Sequence, residues 1–324
     1  MIGVKKNVLV FFGLFLVGML FVPTGIPFMI PEAEAISYSH SEIDLQQLLN
    51  NGGVNSIFVD DFGYIWIGNT STNYSGSSDR PLLKLDSSGN VIFEMSSVVG
   101  SSNCENRFGD AQSVVVTSSN IFIFTGSGNC IVKYDISGNY IENYGSFGSY
   151  QDRFNGPLDM DIDSAGNLWI ADSRNYSISK WYQSSSQNTP SGYNQGGWSG
   201  FHIGGGNCED GTLLPAGVSC NTFPNSRAYP PTSGNGDNEF ENPASIAIDS
   251  SDNIYVLDDI LKRVQKFSSD GTFITKWGEP GTGDGQFSNP KHIAVSPSGK
   301  VYVVDAGTSE IQVFTSSGDF VTSI

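Results

Sequence analysis

Past residue 50 the apolar residues come in short aromatic and β-branched runs, each broken by a cluster of Gly, Asn, Asp or Ser, and no window shows a helical period. That pattern predicts strands joined by tight turns, and hence an all-β chain. The runs also recur. RFNGPLDMDIDSAGNLWIAD, EFENPASIAIDSSDNIYVLD and QFSNPKHIAVSPSGKVYVVD align on Phe154, Phe240 and Phe287, and a degraded copy begins at Phe108. The period is about 46 residues, so the 86 residues between Phe154 and Phe240 hold one repeat plus long insertions. A fixed period of this length marks a stacked or radial repeat architecture.

Each copy divides into four strands, as in ASIAID (244–249), NIYVLD (253–258), RVQKFS (263–268) and TFITKWG (272–278). The set KHIAVS, KVYVVD, EIQVFT and DFVTSI repeats that order, and three earlier sets open with SIFVDD, AQSVVVT and LDMDID. Four-stranded antiparallel units repeated without helices predict a β-propeller, whose radial packing protects sheet edges. Five blades are visible. A sandwich would not repeat its sequence, and a β-helix has shorter rungs.

The chain divides into residues 1–35, a lead segment 36–49, and a propeller 50–324 with insertions at 69–81, 184–197 and 205–239. Lys5 and Lys6, the apolar run 8–22 and the small-residue site Ala33-Glu34-Ala35 follow the order of a secretory signal peptide. An uncleaved membrane anchor is the rival reading, and either one predicts a secreted or cell-surface propeller. Four cysteines suit that compartment. Three pairings are open; the short loop between Cys208 and Cys220 favours that pair, which leaves Cys104 with Cys130. Asn69, Asn73 and Asn175 head Asn-x-Ser/Thr sequons and are candidate glycan acceptors. A formal charge of −17 excludes a nucleic-acid partner, because phosphate contacts need clustered Lys and Arg.

GTGDGQFSNPKHIAVSPSGKVYVVDAGTSEIQVFTSSGDFV, residues 281–321, resembles the NHL-repeat family along its whole length, as do 147–182 and 236–278. The resemblance covers most of residues 50–324 and implies six blades, one more than the chain displays. A fragment, a five-bladed ring, or a ring closed by residues 36–49 would each explain the difference. Related propellers include amidating lyases, lactonases and streptogramin-lyase-like proteins. The amidating lyases hold zinc on channel histidines placed after the blade proline; here Leu158, Ala244 and Lys291 stand there.

The insertions other than 184–197, which falls on the opposite face, map onto one face of such a propeller. Residues 69–81, 100–107, 125–130 and 205–239 gather there with all four cysteines, and Tyr74, Phe223 and Tyr229 are candidate ligand contacts. Inside, Asp159 aligns with Ser56, Ser113, Ser245 and His292 to give a polar ring at the channel mouth, with Asp161 two residues on. Asp159 and Asp161 are candidate Ca²⁺ ligands, with water or Lys291 as the non-metal partner, and His292 is a candidate general base. Asp60, Asp163 and Asp249 fit turn capping. The leading expectation is a binding or scaffolding module for an extracellular protein, peptide or glycan. The alternative is a Ca²⁺-dependent hydrolase or lyase working at the channel mouth.

Overall fold

The computed structural model describes residues 53–60, 62–70, 82–95, 111–125, 129–145, 147–148, 153–182, 198–203 and 233–324. These form five four-stranded antiparallel sheets, each a meander in chain order. The first comprises β1 (Gly53–Val59), β2 (Ile65–Thr70), β3 (Leu82–Leu85) and β4 (Val91–Met95), and the second β5 (Ala111–Val116), β6 (Asn120–Thr125), β7 (Cys130–Asp135) and β8 (Tyr140–Tyr144). The third comprises β9 (Pro157–Ile162), β10 (Leu168–Asp172), β11 (Ser177–Tyr182) and β12 (Trp198–Ile203), with a 3-10 turn at Ser173–Asn175. In the fourth are β13 (Pro243–Ile248), β14 (Ile254–Asp258), β15 (Arg263–Phe267) and β16 (Phe273–Trp277). The fifth holds β17 (Pro290–Val295), β18 (Val301–Asp305), β19 (Glu310–Phe314) and β20 (Phe320–Ser323). The twenty strands and their grouping are those the repeat predicts.

Position within a blade explains each strand's burial. β14 and β15 lie between neighbouring strands and neighbouring sheets, and all their residues are buried. The outermost β16 instead alternates half-buried and exposed positions, the mark of a strand with one wet face. First strands pack on one another in the order β1, β5, β9, β13, β17, which places them innermost. Between sheets sit apolar layers. Ala247, Tyr255, Leu257 and Val264 of the fourth sheet, for example, close over Phe287, Ile293, Val301, Val303 and Phe314 of the fifth. Among the described residues nothing covers the equivalent face of the fifth sheet: Val304 is 38% exposed and Ala294 is exposed, where Leu257 and Ala247 are buried.

The aromatic that leads each repeat anchors its blade. Phe287 is fully buried, with its ring centroid 5.7 Å from that of Phe314. Gly278 passes directly over it with φ +96°, and a Cβ there would lie 2.5 Å from a Phe287 ring carbon and 2.8 Å from the Lys262 carbonyl. Gly145 meets Phe154 in the same way. Gly278→Ala therefore combines backbone strain with a collision against a side chain that has nowhere to move. It should cost about 2 kcal/mol, read as a lowered urea midpoint with unchanged slope.

Asp caps the turn after the first strand in three blades. Asp163 Oδ1 accepts from the Ala165 and Asn167 amides at 3.1 and 2.8 Å, and Oδ2 from Trp169 Nε1. Asp60 and Asp249 do likewise. Where the first, third and fifth blades carry a positive-φ glycine in this turn (Gly63, Gly166 and Gly299), the fourth uses Asp252 (φ +60°). Its carboxylate accepts from the Ser164 amide and hydroxyl of the third blade at 2.8 and 2.6 Å, so a strained turn residue also ties two blades together.

Candidate functional site

Each first strand carries a β-bulge immediately ahead of its ring position. The bulges fall before Ser56, Ser113, Asp159, Ser245 and His292 in turn. A bulge re-aims the next side chain, here toward the neighbouring blade. The outcome is a belt. The Val114 amide donates to Ser56 Oγ (3.2 Å), the Met160 amide to Ser113 Oγ (3.2 Å), the Ile246 amide to Asp159 Oδ2 (3.1 Å) and the Ile293 amide to Ser245 Oγ (3.2 Å). Every junction between successive blades has one such bond.

Asp159 is the hub of the belt. Its Oδ1 accepts from Ser113 Oγ and its own neighbour's amide, Met160, both at 2.9 Å. Its Oδ2 accepts from Ser245 Oγ (2.6 Å) and the Ile246 amide. Four donors fill the lone-pair sites of a carboxylate. Asp159, anticipated as a Ca²⁺ ligand, thus has both oxygens engaged by protein donors. Among the described residues no three acidic, His or Cys side chains converge as a metal would require. Lys291, the anticipated cationic partner, turns away to Asp259 at 3.4 Å.

Asp161 takes the same direction one step along β9. Its oxygens accept from the Ile162 and Ile248 amides, both at 2.8 Å. Burial outweighs those two bonds, and with the Asp159 charge adding to it the Asp161 pKa is pushed up to about 7. The equivalent residues are Ala247 and Ala294, so this carboxyl belongs to the third blade alone. His292 closes the series. Its Nδ1 lies 2.9 Å from Ser245 Oγ and 3.7 Å from Asp159 Oδ2, and its side chain is 53% exposed. His202 sits on the outer strand β12, paired in register with Ser179 and remote from the ring.

A second set of carboxylates went unassigned in the sequence. Asp172, Asp258 and Asp305 end the second strand of the last three blades and hold the incoming loop of the same blade. Asp258 accepts from the Glu241 and Asn242 amides, and Asp305 from those of Ser288 and Asn289. Asp172 receives only the Asn155 amide and Asn175 Nδ2, and burial pushes its pKa up to about 7. For Asp305 burial is outweighed by the amides, including Gly307, and its pKa is lowered. Gln265 and Gln312 complete the latch by bonding the Glu239 and Gln286 carbonyls, and Arg263 clamps Asn235, Gly236 and Glu239. The signal was present: all three repeats end their second strand in Asp, and in the last two R-x-Q or E-x-Q opens the third strand.

Tyr74, Phe223, Tyr229, Asn73, Cys104, Cys208, Cys220 and the whole of 1–52 and 184–197 lie outside the described residues. Cys130 opens β7 and is buried, and Asn69 lies on β2 opposite Val54. Asn175 corrects the sequon reading. It is 4% exposed, and its Nδ2 donates to the Gly148 carbonyl (3.1 Å) and Asp172 Oδ2 (2.7 Å), so the atom a glycan would need is buried and engaged.

Two sequence profiles match the chain: the NHL repeat over residues 287–314, and the two component regulator propeller over 48–71. No curated protein shows significant sequence similarity. Among solved structures, a catalytically inactive variant of virginiamycin B lyase from Staphylococcus aureus, with quinupristin, superposes with a TM-score of 0.50 at 14% identity, over 85% of this chain and 70% of that one. A streptogramin B lyase gives 0.49 at 16%, covering 84% and 68%. A gluconolactonase from Xanthomonas campestris gives 0.43 at 14%, covering 80% and 71%. At such identities the likeness shows the fold alone.

Proposed function

We propose that this chain, a β-propeller of the NHL-repeat family, works outside the cytoplasm as a binding or scaffolding module for a protein, peptide or glycan. One observation carries the reading: apart from His292, the inner polar groups are occupied in joining blades. Asp159 has four donors, and Ser113 and Ser245 are buried between sheets. In this reading recognition falls to the insertions 69–81 and 205–239, since loops carried on a rigid scaffold are where binding usually resides. Cys130 is buried and is not a free thiol, which supports a Cys104–Cys130 disulfide bracing that face beside Cys208–Cys220. Ca²⁺ on Asp159 and Asp161 finds no support in this bonding. A hydrolase or lyase reading has to rest on other groups.

The test is a peptide and glycan array probed with the purified full chain, with the disulfides confirmed by peptide mapping without reduction. The expected result is a ligand whose affinity falls about tenfold or more in the Tyr74→Ala/Phe223→Ala/Tyr229→Ala variant, while the melting temperature holds. Binding indifferent to all three changes would remove the loop face from consideration.

A further inference from the structure

Hydrogen-bond accounting around Ser245 has a consequence for its neighbour. A serine hydroxyl has one proton to give and two lone pairs to offer. Ser245 Oγ lies 2.6 Å from Asp159 Oδ2, its shortest contact, and that carboxylate can only accept. The single proton therefore points to Asp159. One lone pair of Ser245 receives the Ile293 amide at 3.2 Å. The other faces His292 Nδ1 at 2.9 Å, and with the hydroxyl proton already committed, Nδ1 must be the donor.

We infer that Asp159 and Ser245 hold His292 as its Nδ1–H tautomer, leaving Nε2 of this half-exposed side chain as the unprotonated nitrogen that accepts a hydrogen bond or proton from a ligand O–H or N–H group. A free histidine favours the opposite tautomer, so the relay sets the chemistry of the exposed nitrogen. Asp159 and Ser245 are positioning residues here, and the inference stands independently of the loop-face reading.

Two measurements on the ¹⁵N-labelled full chain at pH 8 test this, with His292→Gln supplying the assignment. Long-range ¹H–¹⁵N correlation should show Nε2 at the position of an unprotonated ring nitrogen and Nδ1 at that of a protonated one. Ser245→Ala should shift the ring toward the Nε2–H form, and Ser245→Thr, which keeps the hydroxyl, should restore the original pattern. Diethyl pyrocarbonate then probes access. The Nε2 lone pair attacks a carbonyl carbon, a C–O bond breaks, and the departing ethyl carbonate takes up the Nδ1 proton and breaks down to ethanol and CO₂. A carbethoxyl group on His292, formed several-fold more slowly in Ser245→Ala, supports the inference. A wild-type ring already in the Nε2–H form, or a His292 that escapes modification while the protein is folded, overturns it.

Discussion

Asp159→Ala should be the most damaging single substitution in the molecule, lowering the unfolding free energy by about 4 kcal/mol. The change removes one acceptor and strands several donors. Ser113 Oγ, Ser245 Oγ and the Ile246 amide all lose their partner at the junctions of the second, third and fourth blades. Each buried donor left without an acceptor costs roughly 1–3 kcal/mol, and little water reaches Ser113 or Ser245 to compensate. Asp159→Asn, which keeps one acceptor oxygen, should lose about half as much. Urea denaturation of the two variants beside wild type reads the difference. An Ala variant within about 0.5 kcal/mol of wild type would mean that the belt does not hold the blades together.

Stability should also fall as the solution passes from mildly acidic to mildly basic. Asp161 and Asp172 have pKa values raised from 3.8 to about 7, chiefly by burial. Between those pH values the folded chain keeps protons that the unfolded chain has released. Their contribution is therefore full below about pH 3.8 and is lost as the pH rises through about 7. Asp163, Asp249 and Asp305 act in the other direction. For each, burial is outweighed by hydrogen bonds that hold the carboxyl below its ordinary value. Their contribution is present above pH 3.8 and lost as the pH falls through their folded values. The two sets together place the maximum near pH ~4, with a progressive loss of several kcal/mol as the pH rises to ~8. Asp161→Ala copies what the fourth and fifth blades already have at that position, so it should flatten the neutral limb and raise stability at pH ~8. A wild-type curve level from pH ~5 to ~8 would contradict the assignment.

The strands were legible because a blade is written in local terms: alternation, an Asp-capped turn and a leading aromatic recur at one spacing. Alignment of the copies also found the ring, since Ser56, Ser113, Asp159, Ser245 and His292 share a register. Their use was not legible. Asp159 and Asp161 looked unpaired because their partners, Ser245, Ile246 and Ile248, lie some 86 residues away and two of the donors are backbone amides, which carry no sequence signature. Asn175 failed as a glycan site for a related reason. The triplet at 175–177 is visible, but the Asp172 carboxylate and Gly148 carbonyl that bury its amide are brought there by the fold.

The belt has a bearing on how such a chain changes over generations. Its donors are main-chain amides, supplied by every blade whatever the side chains. The partner need only accept a hydrogen bond, and Ser and Asp already share that duty around one ring. Duplicating a blade therefore copies the means of joining it, while the chemistry of the side chain facing inward is free to drift. An inner surface assembled under that rule can acquire a new reactive group, as the fifth blade has with His292, by one substitution that leaves the architecture intact.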